Sequence, residues 1–350
     1  MCDERARREG GHMHTKPDNQ TTFEDRIYSL IPEDHFLKVL QKTIDWKFID
    51  KRSRHLYSKY GRHAHPAEMM FKLVLLQFLY KLSDRQLEEA IRFRINFRWF
   101  VGLTGTDPGP DHTAFCRFRD RLGPDTLAMM MNDVVDQAWK AGLVSDMLSF
   151  TDATDVKAKV NTWRWKDDDE NPGGKQGPDS DAKFGKKSET KPSFFGYKCA
   201  ASVDADSGIV TKVEVAPGNV ADIDMFPEVA DDQALAVTAD RGFDSQFNHD
   251  LLRERGQESA IIPKRRRGRA RGHVKARYPD LGERERYYRR KKKRGRVEAK
   301  FGEMNNHHGL DRARYYGLAK MKFQAVMTAI AVNVKRMVTM LTGRPRWVMT

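Results

Sequence analysis

Three acidic residues stand where a metal-assisted reaction would want them. Asp152 closes the run Met147-Leu-Ser-Phe-Thr-Asp152, and Asp240 closes Leu235-Ala-Val-Thr-Ala-Asp240. Both runs read as strands, and ligand sites in α/β sheets collect beyond the carboxyl ends of strands. If the two strands are neighbours, the carboxyl groups lie roughly 5 Å apart, the inter-strand spacing. Ionised carboxylates at that range repel one another, and a divalent cation between them removes the penalty. The third acid, Glu298, falls on a helical pattern. Val297, Phe301 and Met304 make its apolar stripe, while Glu298, Gly302 and Asn305 share the adjacent face. Gly302 removes a side chain beside the acid. The chemistry open to such a trio is phosphodiester cleavage and transfer. Two Mg²⁺ ions about 4 Å apart activate water or a 3′-hydroxyl and stabilise the leaving oxygen; Mn²⁺, with the same taste for oxygen ligands, can substitute. The choice is not unique on these grounds, because the chain holds 49 acids and Asp155, Asp244 and Glu303 lie close by. Asp155 falls at opposite strand parity to Asp152, and Asp244 reads as a cap on the turn into the next helix.

The elements that must position these acids change character near residue 147. Before it the pattern is helical. Short helices are expected within 21–58, then one opened by Pro66 that is apolar almost all round, as in a buried helix. Ser83 is a good N-cap for a helix over 84–93. A Gly/Pro stretch over 102–110 follows, then a basic helix over 112–122 ended by Gly123 and Pro124, and one more over 125–142. After residue 147 the expected order is strand, a long polar loop over 163–191, a hairpin of strands 194–203 and 209–216, strand 235–240, helix 245–255, strand 259–262, a helix starting near 294–296 and an apolar helix over 320–341. The turn Asp204-Ala-Asp-Ser-Gly208 closes the hairpin. This predicts an α/β fold, a mixed sheet flanked by helices, behind an all-helical region. The expected organisation is a disordered tail at 1–20, a helical domain at 21–145 and a sheet domain at 146–342 carrying a basic insertion at 263–296.

Charge points to the partner. The formal net charge is +14, and 17 of the 33 residues over 264–296 are Lys or Arg, opposed only by Asp280, Glu283 and Glu285. Such a block repels itself unless a polyanion neutralises it, and nucleic acid is the common one. Candidate DNA contacts in it are Lys264, Arg265, Arg266, Arg267, Lys291, Lys292, Lys293, Arg294 and Arg296. Others are Arg117, Arg119 and Arg121 on the helix over 112–122, which with the helix before it suggests a DNA-contacting helical domain; the connection is long for a strict helix-turn-helix. Trp163 and Trp165, interleaved with Arg164 and Lys166, either stack on bases or anchor their loop to the core. Three widely spaced cysteines without a CxxC fit a reducing cytoplasm and no disulfide framework. No uninterrupted apolar run of about 18 residues suggests a membrane helix. His63 and His65 read as loop residues, and the pair His307 and His308 as exposed.

Six strings in order carry a resemblance: Phe150-Thr-Asp152-Ala-Thr, Phe195-Gly-Tyr-Lys198, Val203-Asp-Ala-Asp-Ser-Gly208, Asn219-Val-Ala-Asp222, Thr238-Ala-Asp240-Arg-Gly-Phe243 and Arg294-Gly-Arg-Val-Glu298. Together they resemble the catalytic domain of bacterial insertion-sequence transposases of the insertion sequence 5 group. The stretch over 23–142 resembles that group's helical N-terminal domain. The resemblance implies a ribonuclease-H-like fold and an Asp-Asp-Glu metal triad, which by motif falls on Asp152, Asp240 and Glu298. It also implies a basic residue four before the Glu, met by Arg294. The Lys often found seven after it is Asn305 here, and a Tyr seven before it is Lys291. The implied activity is binding of an element's terminal inverted repeats, then metal-dependent cleavage and strand transfer. Double-stranded DNA, both transposon end and target, would be the partner, with a homodimer in the DNA complex. The alternatives are a catalytically inactive DNA-binding derivative and a ribonuclease-H-like nuclease.

Overall fold

The computed structural model describes residues 23–57, 64–160, 179–186, 193–264 and 295–343. Seven helices make up the described part before the sheet: α1 (Phe23–Ser29), α2 (Phe36–Thr43), α3 (Lys47–Ser53), α4 (Ala67–Leu79), α5 (Asp84–Phe93), α6 (Ile95–Val101) and α7 (His112–Lys140). Helix α4 is buried on nearly every side, as its apolar sequence demands. Ser83 caps α5 in a capping box with Gln86. Helix α6 was not expected. Its seven residues are too few to show a period, and it ends at Gly102, whose φ of 74° suits a glycine. The break at Gly123 and Pro124 is real but is a kink within α7: Gly123 alone is non-helical, with φ 67° and ψ 166°. Pro124 then opens the second half, where its missing N–H costs nothing.

The sheet has six strands among the described residues: β1 (Ser149–Lys157), β2 (Lys183–Gly185), β3 (Phe194–Asp204), β4 (Val210–Pro217), β5 (Ala236–Ala239) and β6 (Glu258–Ser259). Strands β1 and β3 are antiparallel, as are β3 and β4, while β1, β5 and β6 run parallel. The order β4-β3-β1-β5-β6, a meander followed by parallel additions, is ribonuclease-H-like; β2 extends the start of β3. Helix α8 (Asp222–Val229) covers one face and α9 (Gln246–Glu254) links β5 to β6. Helices α10 (Gly295–His308) and α11 (Leu318–Thr342) follow among the described residues.

Two details differ from expectation. β1 does not stop at Asp152 but continues to Lys157, because β3 pairs with it along its whole length. Helix α8 has no counterpart in the expected order, and strand β2 falls within the stretch expected to be a long loop. α8 has eight residues with a proline among them, too short for its three buried side chains to show a helical pattern.

Helix α11 has the length and apolarity of a bilayer span, yet its most apolar stretch is mostly buried within the protein. It packs on α7, α4 and α2 and also on β4. One apolar core therefore runs from the first helices through α11 into the sheet. Two buried amides on α11, Asn333 and Gln324, are paired, as burial requires. The Asn333 amide accepts from the backbone N–H of Val210 and donates to its carbonyl, both at 2.8 Å. Gln324 donates to the Gly309 and Arg312 carbonyls, which holds the α10–α11 connection in place.

Candidate active site

The parallel register of β1 with β5 ends at Thr151 opposite Ala239. The next residue on each strand is therefore Asp152 and Asp240, and both line one small cleft with Phe150, Thr238 and Val297. Backbone bonds orient them. The Asp152 carboxylate accepts from the N–H of Ala153 at 2.9 Å. The Asp240 carboxylate accepts from the N–H of Arg241 at 2.7 Å and caps the single 3₁₀ turn that follows β5. Both side chains are half-buried, open to a ligand but held at the base.

The face of β1 that carries Asp152 is settled by its neighbours. Successive side chains alternate across a strand, so Asp152 and Thr154 share a face. Asn305 of α10 donates to the Thr154 hydroxyl at 3.4 Å, so α10 crosses that face. Asp155 lies on the other face, opposite Lys198. Glu298 is exposed in the first turn of α10, next to Val297 in the shared cleft. The structure thus brings Asp152 and Asp240 together, and Val297, the residue before Glu298, lines the same cleft. Among the described residues no three acids, histidines or cysteines converge at metal-ligand range.

A divalent cation fits what is there. The available donors are carboxylate oxygens, which suit a hard ion that keeps several waters. The buried Asn305 Oδ1 has no hydrogen-bond partner, an acceptor suited to a bound water. A Cβ at Gly302, between Glu298 and Asn305, would meet no atom within 4 Å, so α10 faces open space at that position.

The competing acids have other work. Asp244 accepts from His249 Nε2 at 2.9 Å and from the backbone N–H of Lys264 at 2.7 Å, tying down the start of the basic segment. Glu303 bridges Lys300 at 2.9 Å and Lys335 at 3.1 Å, and the two ammonium groups outweigh burial and hold its carboxyl down at about 2. His308 is not exposed as expected but fully buried. It bonds the Phe78 carbonyl at 2.9 Å, and burial pushes it down to about 4. His307 is exposed, as is His65, while His63 lies outside the described residues.

Residues 25–121 match the family model described as Transposase domain (DUF772), and residues 146–334 match the Transposase DDE domain. The second match alone spans more than half of the chain. The chain belongs to the DDE transposases. Domains of this family work with divalent metal ions. Among solved structures, the chain is similar to the piggyBac transposase in its synaptic complex with hairpin DNA. The identity is 12%, over 93% of this chain and 77% of that one, with a TM-score of 0.40.

The expected DNA contacts of this transposase fare differently. Arg117 and Arg121 are exposed on the first half of α7, and Arg121 lies over the Tyr57 ring at 5.1 Å. Arg119 is a correction. It is buried, with its guanidinium in a two-pronged bond to Asp84 at 2.8 and 2.7 Å and stacked on Tyr315 at 4.8 Å. One helix puts alternate residues of a basic run on opposite sides, so the middle arginine faces the core. Lys264 is exposed. Trp163, Trp165, Arg265, Arg266, Arg267, Lys291, Lys292, Lys293 and Arg294 lie outside the described residues, as does the side chain of Arg296.

Sequence reasoning missed one arrangement. Lys198 on β3 donates to Asp222, the first residue of α8, at 2.8 Å. A Cβ on Gly242, two residues after Asp240, would stand 2.8 Å from the other oxygen of Asp222. Three of the six family-like strings meet at this point, and their co-occurrence was the available hint.

Proposed function

We propose that the chain is an insertion-sequence transposase of the insertion sequence 5 group, binding terminal inverted repeats and performing metal-dependent cleavage and strand transfer. The observation that carries this reading is the common cleft of Asp152 and Asp240, one step past the last paired residues of two parallel strands. In this reading Asp152 and Asp240 hold the divalent cation, Mg²⁺ with Mn²⁺ as a substitute. Glu298 completes the set from α10. A divalent cation held there would supply activation of the attacking water or 3′-hydroxyl and stabilisation of the leaving oxygen. The backbone bonds at Ala153 and Arg241 keep the two aspartates aimed before substrate arrives, and Gly302 leaves room for a sugar-phosphate strand beside Glu298. The helical region at 21–145 grips the end, with Arg117, Arg121 and the basic insertion against phosphate, and the region at 146–342 cuts. Joining two ends calls for a homodimer in the complex, and the cysteine spacing suits the cytoplasm.

The test begins by capturing genomic DNA on the protein and sequencing what is bound and where it is cut. A duplex carrying the recovered end is then incubated with Mg²⁺. The parent is expected to nick it, and Asp152→Ala to lose at least about a hundredfold in rate, since metal stabilisation of the transition state is worth several kcal/mol. Equal rates for parent and variant would sink the site. Specific binding without cleavage by the parent would leave a DNA-binding derivative, and preferred cleavage of RNA–DNA hybrids would leave a nuclease.

A further inference from the structure

A second concavity lies away from the catalytic cleft. It occupies about 800 Å³ between the α4–α5 turn, the first half of α7, the connection after α10 and the start of α11. It shares no lining residue with the cleft of Asp152 and Asp240. Lys159, at its mouth, stands seven residues beyond Asp152, roughly 20 Å away along β1 and its continuation. The volume is that of a small-molecule site, too small for a duplex about to lie in it.

Its lining has three parts. The wall is apolar, with Leu82 and Phe323. The mouth is cationic: Lys81, Lys159 and Arg312 are exposed and make no ion pair among the described residues. Asp311 is the one carboxylate there without such a pair, because Asp120 is bonded to Lys320 at 3.2 Å and Asp84 to Arg119. The floor is Tyr315. Its ring is clamped under Arg119, and its hydroxyl is buried without a hydrogen-bond partner. Burial also pushes this phenol up, so it remains a neutral donor. A buried hydroxyl left unpaired costs stability unless a ligand pairs it.

An apolar wall, an unmet polar atom at depth and cations at the rim suit a flat ring carrying a phosphate. We propose that this cavity takes one nucleotide of an unpaired DNA strand, its base against Leu82 and Phe323 with an edge at the Tyr315 hydroxyl, and its flanking phosphates at Lys81, Lys159 and Arg312. Sequence-tolerant base contacts combined with a positive path along the backbone are how proteins hold single strands. The site rests on the transposase reading only for the origin of the strand.

The probe is a dye-labelled ten-nucleotide oligothymidylate, bound to the full chain in EDTA and followed by fluorescence anisotropy. The double variant Lys159→Ala/Arg312→Ala changes only exposed side chains. It is expected to bind at least about tenfold more weakly and to reduce the slope of log affinity against log salt by about 1.4, two phosphate contacts at 0.7 each. Tyr315→Phe keeps the ring beneath Arg119, and it should weaken binding with the slope unchanged. Parental affinity and slope in the double variant would overturn the site. Parental affinity in Tyr315→Phe would overturn the placement of the base. Thymidine monophosphate competing as well as the oligomer would overturn the strand as its source. A parent that binds the oligomer through these residues yet cleaves no DNA separates the outcomes, because the catalytic reading then fails and this one stands.

Discussion

Lys198 Nζ lies 2.8 Å from Asp222 Oδ1, and the other oxygen of that carboxylate occupies the space a Cβ on Gly242 would need, in the turn that follows Asp240. The pair joins β3, α8 and the end of β5. Lys198 is mostly buried and Asp222 only partly so. In such surroundings a charge that loses its partner is costly, which makes the pair a lock on the turn rather than a surface decoration.

Coupling across this lock is expected to be measurable. Gly242→Ala must push the Asp222 carboxylate away from Lys198, so Gly242→Ala and Asp222→Ala should not add. An interaction energy of about 1 kcal/mol or more is expected from a double-mutant cycle by denaturant unfolding. Additivity within about 0.3 kcal/mol would show that the turn and the ion pair are independent.

Arg119 and Arg117 should separate stability from DNA binding. Arg119→Met leaves the partly buried Asp84 without its guanidinium and is expected to cost about 3 kcal/mol. Arg117→Ala, at an exposed position, should leave stability within about 0.5 kcal/mol and weaken binding to duplex DNA. Thermal melts and a binding titration decide it, and a stable Arg119→Met protein would contradict the burial argument.

The link between α10 and α11 predicts an acid-sensitive fold. His308 is held neutral, down at about 4 from the usual 6.5, with Lys335 at 3.3 Å from its ring. The unfolded chain therefore binds the histidine proton first, and stability falls as pH drops from about 6.5 to about 4. Glu303, held down at about 2 from 4.5, contributes stability above 4.5 that is lost as pH falls further, towards 2. The histidine part should be about 3 kcal/mol. Urea unfolding across pH 4–7 measures it. His308→Asn should flatten that part of the profile, and an unchanged slope would assign it to other groups.

Asn305, where the family pattern often has Lys, should act on the metal through a water. Asn305→Ala is expected to raise the Mn²⁺ concentration for half-saturation about tenfold, the usual effect of losing an outer contact. Titration without DNA, followed by electron paramagnetic resonance, reads this directly. Unchanged affinity would reduce Asn305 to its contact with Thr154.

Much of the architecture is legible in the sequence alone because its causes are local. The capped start of α5, the break at Gly123 and Pro124, the β3–β4 hairpin and the apolar runs ending at Asp152 and Asp240 each depend on a few neighbouring residues. The same holds for the helical face shared by Glu298, Gly302 and Asn305. Short elements such as α6, α8 and β2 escape such reading, since a period needs more residues than they have. Contacts between distant residues needed the tertiary structure. Arg119 and Asp84 are 35 residues apart, and only helix packing turns the middle arginine of a basic run inward. Parallel pairing of β1 with β5 is likewise decided by the sheet, and it makes neighbours of Asp152 and Asp240. The sequence determined which acids could serve; the pairing of β1 with β5 decided that two of them share a cleft, and the packing of α10 across β1 decided that Val297, the residue before Glu298, lines it.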